Sequence, residues 1–207
     1  MVHGEASARA VKSHVITLRE TPDRTQAAIA HLNEREHPFE LFFGVNAEKW
    51  GLTTTHPYDA DGGSVIVPRK HVGLHLSHWI LWGIFLRSTE SCFSVMEDDI
   101  QLASDWKPRL ESVEAHLPAD WDICLLGHCN ALNKPMKHVS GPVWRVEYPQ
   151  CTHWYLVNRK ALPLLIESQE KAWAPIDLSL IFRSYPNLNV YTAVPRLASQ
   201  FGMDLSE

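Results

Sequence analysis

A chain of 207 residues, 45% of them hydrophobic and 21% charged, is long enough to bury one medium-sized core and has nothing of a disordered chain about it. Its formal net charge of −5, with 19 Lys and Arg scattered along the sequence, excludes a protein built mainly to grip phosphate backbones. Met1 to Ser13 is polar and lacks the apolar run of a signal peptide, so residues 1–13 read as a flexible leader and 14–207 as one domain. The most apolar stretch, Val72 to Leu86, is interrupted by His75, Ser77 and His78 and is too short and too polar to cross a bilayer. Cys92, Cys124, Cys129 and Cys151 show no CxxC spacing; they read as free core thiols in a reducing compartment, with a disulfide or a zinc site as the other readings, and a cytoplasmic protein is expected.

In chain order, His14 to Leu18 is a short run rich in β-branched residues and predicts a buried strand. Thr21-Pro22 opens a helix that reaches about Glu36, with Pro at a tolerated first-turn position. Phe39 to Val45 predicts a second strand, giving the strand–helix–strand opening of an α/β domain. Residues 46–70, rich in Thr, Asp, Gly and Pro, predict a long loop of the kind that is functional or mobile. Val72 to Arg87 is apolar nearly all round and predicts a helix buried in the core. Ser91 to Met96 is a strand running directly into Glu97-Asp98-Asp99. A helix over Trp106–Leu117, a strand over Asp122–Leu126 and a loop over 127–142 follow. Strands are then expected at Val143–Val146, Thr152–Val157 and Asn189–Ala193, with helices at Arg159–Gln169 and Ile176–Tyr185. No repeat or low-complexity linker interrupts the pattern. It predicts a single α/β domain with a mixed, mostly parallel sheet flanked by helices.

The most informative segment is Met96-Glu97-Asp98-Asp99-Ile100. Three adjacent acids repel one another, and the end of a buried strand adds a desolvation cost. A divalent cation offsets both, and oxygen-only ligands suit Mg²⁺ or Mn²⁺. Ligands of open α/β sheets gather beyond the carboxyl ends of strands, where these acids fall. The other reading is a solvated acidic turn.

With that motif in hand, four segments in order resemble glycosyltransferase family 25. They are Val15-Ile16-Thr17-Leu18 with Pro22-Asp23-Arg24; Gly73-Leu74-His75-Leu76-Ser77-His78-Trp79; Glu97-Asp98-Asp99; and Tyr155 to Ala161 followed by Pro175-Ile176-Asp177. Leu74 stands where the family carries Cys, and little chain follows Pro195 to Gln200, where larger relatives place acceptor-binding parts. The resemblance implies a GT-A-type (Rossmann-like) fold, a UDP-sugar donor carrying a hexose such as galactose or glucose, Mn²⁺ (or Mg²⁺) and inversion at the anomeric carbon. It implies metal ligation by Glu97 and Asp99, with Asp98 beside them on the donor. Donor contacts are implied at Thr17, Leu18, Arg19, Arg24, Asn46, Ser77 and His78, and a catalytic base at Asp177.

Each of these positions has a plainer reading. Arg19 and Arg24 can neutralise a diphosphate or serve as surface charge. Asn46 and Ala47 can line a nucleoside pocket or fill a loop. Asp177 can take the acceptor proton or merely cap a helix. His71, His75 and His78 share a helix face, but no flanking acid supports zinc. His153 reads as a core histidine or an acceptor contact. Most of the Trp residues, Trp79 and Trp82 among them, read as core rather than sugar-stacking platforms. The function expected is metal-dependent hexosyl transfer from a nucleotide sugar to an acceptor hydroxyl on a glycan, a polypeptide or a modified base. The alternatives are a metal-dependent phosphoryl-transfer or hydrolytic enzyme, for which no Walker-type or GxGxxG loop is present, and a sugar- or nucleotide-binding protein with a decayed site.

Overall fold

A computed structural model describes residues 12–58, 63–129 and 136–203. β1 (Ser13–Thr17), α1 (Pro22–Glu34) and β2 (Phe39–Phe43) form the expected opening unit, with β2 returning parallel to β1. A two-stranded hairpin, β3 (Thr55–Tyr58) and β4 (Gly63–Ile66), precedes α2 (Arg69–Arg87). Next come β5 (Cys92–Glu97), β6 (Ile100–Leu102), α3 (Trp106–His116) and β7 (Ile123–Cys129). The chain continues through β8 (Met136–Ser140), β9 (Val143–Val146) and β10 (Gln150–Asn158). It finishes with α4 (Leu162–Ser168), α5 (Ile176–Arg183), β11 (Val190–Ala193) and β12 (Ala198–Gln200).

Ten strands make one mixed sheet in the order β2-β1-β5-β10-β7-β11-β9-β8, with β12 pairing both β6 and β7 beside it. Following the pair directions, β1, β2, β5, β7, β8, β11 and β12 point one way, against β6, β9 and β10. The strands are apolar runs because both faces are covered. Val95 of β5, Tyr155 and Val157 of β10, and Ile123 and Leu125 of β7 pack with Leu81, Trp82 and Phe85 of α2 and Leu180 of α5. Their neighbours Met96, Trp154, Leu156, Cys124 and Leu126 pack on the other face with Leu32 of α1 and Trp106, Leu110 and Val113 of α3. The period of two along each strand therefore feeds two cores.

Several expectations are corrected here. Residues 46–70 are not a continuous loop, since they carry the β3–β4 hairpin and the first residues of α2; residues 59–62 lie outside the described residues. α2 is not buried all round: Ile80 and Ile84 are exposed on its outer side. The 127–142 segment carries the end of β7 and all of β8. Of the leader, residues 1–11 lie outside the described residues, whereas Ser13 already belongs to β1 and Lys12 pairs with Glu40. Cys129 and Cys151 are not free thiols but form a disulfide, Cα–Cα 5.6 Å apart; Cys92 and Cys124 are free. No helix among the described residues is long and apolar enough to cross a membrane.

Candidate active site

The parallel register of β1 and β5 sets Ile16 beside Glu97, so the next residues along the two strands, Thr17 and Asp98, lie side by side at the carboxyl end of the sheet. Above them opens a cleft of about 640 Å³, within the roughly 300–1,000 Å³ usual for small-molecule sites. Its walls include Thr17, Leu18, Arg24, Asn46, Ser77, Glu97, Asp98 and Asp99, together with Ala47, Lys70, His71 and Gln200.

The three acids differ in their partners. Asp98 is buried and fully engaged: the Thr17 hydroxyl donates to Oδ2 at 2.7 Å, and the Arg24 guanidinium donates to Oδ1. Glu97 accepts the Thr152 hydroxyl at 2.6 Å on Oε1, and His78 Nε2 faces the same oxygen at 3.5 Å. Burial alone would raise the Glu97 pKa, but His78 and Thr152 outweigh it and hold the carboxyl below its ordinary range. Asp99 has the opposite balance. Burial, then the charge of Glu97, push its carboxyl up to about 6 against the pull of Arg24, whose Nη2 lies 3.5 Å from Oδ2. Gln200 Nε2 donates to Asp99 Oδ2 at 3.2 Å, whereas Oδ1 is buried without a partner. An unpartnered buried carboxylate oxygen fits a hard divalent cation, which Asp99 and Glu97 could ligate.

Helix α2 supplies two neighbouring residues with different duties. The Ser77 hydroxyl donates to Gly73 O at 2.7 Å and accepts from Val45 N at 2.8 Å, pinning the strand exit that carries Asn46 and Ala47. Glycines permit the approach: a Cβ on Gly73 would stand 2.4 Å from Val45 O, and one on Gly44 2.4 Å from Ser77 Oγ. His78 is wholly buried below Glu97 and does not line the cleft. Trp82 Nε1 donates to the Tyr155 hydroxyl at 2.9 Å, and that hydroxyl meets His78 Nδ1 at 2.9 Å. With the hydroxyl donating onward to Nδ1, the network assigns the His78 ring proton to Nε2, facing Glu97.

The remaining candidates separate. Arg19 is exposed and stacks over Phe43 at 4.0 Å rather than lining the cleft. Asn46 lines the cleft while its side-chain oxygen accepts from Lys49 N at 3.0 Å. Asp177, in the first turn of α5, is half-buried and is not among the residues that line the cleft. Its Oδ2 accepts from Cys151 N at 3.2 Å, and its charge raises the pKa of His71, which burial and Lys70 lower overall. His71, His75 and His78 do not converge, since His75 turns away to Gln169 O at 2.8 Å. His153 is a buried histidine of β10, and Trp82 is core as expected. Thr152 and Gln200 were not singled out by the sequence; Gln200 lies on a three-residue strand, and Thr152 carries no motif.

This GT-A-like sheet, with an acidic turn at the mouth of its cleft, defines the class. The sequence profile of glycosyltransferase family 25 (LPS biosynthesis protein) matches residues 10–180. The chain belongs to glycosyltransferase family 25. It is 24% identical over 212 residues to a Bos taurus protein described as probable inactive glycosyltransferase 25 family member 3, covering 89% of this chain and 36% of that protein. It is 25% identical over 189 residues to the Homo sapiens inactive glycosyltransferase 25 family member 3, covering 84% and 32%. The chain thus spans about a third of these relatives' length. In fold it resembles a glycosyltransferase involved in glycosylation of the major capsid of PBCV-1, with a TM-score of 0.51 at 9% identity over 95% of this chain and 96% of that one.

Proposed function

We propose that this chain transfers a hexose, galactose or glucose, from a UDP-sugar to an acceptor hydroxyl with inversion, and that Asp99 and Glu97 hold the Mn²⁺ or Mg²⁺ that accompanies the diphosphate. The observation that carries this reading is Asp99 Oδ1, buried in the cleft wall without a partner while the carboxyl is pushed up to about 6. When bound, the cation stabilises the charge of the departing diphosphate. Asp98 is spent on Thr17 and Arg24, so it positions Arg24 at the cleft rather than ligating. Leu18, Asn46 and the Ser77-pinned exit of β2 form the nucleoside side of the same cleft. Asp177 takes the acceptor proton as that oxygen attacks the anomeric carbon and the nucleoside diphosphate leaves.

A second reading, a nucleotide-sugar-binding chain without turnover, is favoured by the names of the bovine and human relatives, both of which describe them as inactive. One experiment separates the two. Nucleotide sugars are incubated with the chain and Mn²⁺, and slow release of free sugar is followed, since hydrolysis needs no acceptor. Release from a UDP-hexose supports transfer. A UDP-Mn²⁺ thermal shift without release supports binding alone. Neither shift nor release, at millimolar ligand, overturns both.

A further inference from the structure

On the far side of Gln200 from Asp99 lies a second cluster that the sugar-transfer reading does not use. Cys129, at the end of β7, and Cys151 and His153, at the start of β10, each bring one potential ligand atom to within 4.8 Å of the others. Several independent features build this place. His153 is wholly buried, and its Nε2 donates to Ala198 O at 3.3 Å. The neutral ring therefore keeps its lone pair on Nδ1, which is buried without a hydrogen-bond partner. That is the tautomer of a metal ligand oriented by a backbone carbonyl. β7 makes room for the ring, because a Cβ on Gly127 would stand 2.3 Å from His153 Nε2. Glycine weakens a strand interior, so its use in a wholly buried strand marks a close approach. Cys151 adopts φ 69°, a left-handed conformation costly for a residue other than glycine, where β10 slips register against β7.

We propose that Cys129, Cys151 and His153 form a redox-gated site for a soft divalent cation of the zinc class, closed by the disulfide and opened when the two cysteines are reduced. The ligand chemistry separates it from the all-oxygen Glu97–Asp99 pair. Two thiolates and an imidazole favour Zn²⁺, whereas carboxylates favour Mn²⁺ or Mg²⁺. A tetrahedral zinc with bonds of about 2.3 Å to sulfur and about 2.0–2.1 Å to nitrogen brings its ligand atoms within about 4 Å of one another. Small side-chain rotations accomplish this once the sulfurs are no longer bonded.

The chemistry balances in two steps. A dithiol of the thioredoxin or dithiothreitol class gives two electrons and two protons to the Cys129–Cys151 bond and becomes a disulfide itself. The cation then displaces the two thiol protons to solvent, forming two sulfur bonds and one nitrogen bond. Three protein ligands leave a fourth position open. The site also touches both ends of the proposed active site. Cys129 Sγ lies 4.0 Å from Gln200 Oε1, whose amide nitrogen donates to Asp99, and Cys151 N donates to Asp177.

The test compares the chain in its oxidised form with the chain reduced by dithiothreitol and freed of reductant under anaerobic conditions. Each is incubated with Zn²⁺, desalted and assayed for retained metal, and Co²⁺ is substituted to read thiolate coordination by its absorption. The reduced chain should retain one zinc and the oxidised chain none. Zinc should also protect two thiols from alkylation. Cys151→Ser and His153→Gln should each lose the retained zinc, whereas Asp99→Asn should keep it; near-UV circular dichroism verifies that each variant is folded, and Cys151→Ser serves should His153→Gln fail to fold. A reduced chain, with both thiols verified by mass, that retains no zinc overturns the proposal. Retention undiminished in Cys151→Ser overturns it as well. The readout is metal, not sugar transfer, so this proposal stands or falls apart from the glycosyltransferase reading.

Discussion

The Thr152 hydroxyl reaches from β10 to the end of β5 and donates to Glu97 Oε1 at 2.6 Å. A hydrogen bond to a charged, buried group contributes about 1.5–3 kcal/mol, and its loss leaves the carboxylate undersolvated. Thr152→Val should therefore lower stability by about that amount and weaken Mn²⁺ binding, and Thr152→Ser should restore both. Urea denaturation and metal titration measure the two effects. A Thr152→Val chain as stable as the parent would remove Glu97 from the list of supported ligands.

Asp99 poses the reverse case. Its pKa is raised to about 6 by burial and by Glu97, so the folded chain favours the neutral acid. The stability this gives is present at low pH and is lost as pH rises from about 4 through about 6. In metal-free protein near neutral pH, Asp99→Asn should raise the melting temperature, and the gain should vanish near pH 4. The same variant should weaken UDP-Mn²⁺ binding and turnover, because an amide oxygen is a poorer ligand than a carboxylate. Calorimetry gives both numbers. Unchanged affinity would refute ligation by Asp99.

For Asp177→Asn, donor binding should stay near the parent value while transfer falls by about 10² to 10⁴, the usual size of general-base catalysis. Parent-like transfer would reduce Asp177 to a group that holds the Cys151 amide and the start of α5.

Acid sensitivity should come from the histidines. Burial lowers the pKa of His37 and His128 to about 4, and it also lowers His14, His31, His75 and His153. A histidine depressed in the folded state contributes stability above its unfolded pKa of about 6.5, and that stability drains away as pH falls toward about 4. Melting curves should show a steady loss over that window, offset in part by Asp99, whose contribution runs the other way. His37→Gln should flatten the slope. An unchanged slope would mean that the ring tolerates its charge in place.

Gly73→Ala should be costly for an exchange of one methyl group. The added carbon would stand 2.4 Å from Val45 O, which is backbone, so either α2 or the exit of β2 must move. A loss of about 1–3 kcal/mol is expected, with weaker nucleotide binding because Asn46 and Ala47 move with Val45. Thermal melting with and without UDP reads both.

The order of the main strands and helices was legible because each strand is an apolar run feeding two cores, and Glu97-Asp98-Asp99 stood out because three acids at such a strand end need a reason. What stayed hidden depended on pairing across the chain. β6 and β12 are three residues each, too short for any periodicity to register. The hairpin at 55–66 is written in the Thr, Gly and Pro that also write loops. Cys129 and Cys151 are 22 residues apart, a spacing that says nothing until β7 and β10 lie side by side. Gly73 and Ser77 were visible as a motif. Only the fold showed that they let a helix rest on the peptide of Val45.

The acidic turn is clasped by residues from opposite ends of the described chain: Thr17 and Arg24 from one side, and Gln200 and the Phe201 amide, which donates to Asp99 O at 2.8 Å, from the other. During synthesis Thr17, Arg24 and the acidic turn leave the ribosome long before β12 does. Until it does, Asp99 keeps its repulsion without its partner at Gln200, and β6 has no strand beside it. The cleft wall is thus drawn from both ends of the described chain, and of its lining residues Gln200 is the last to be made.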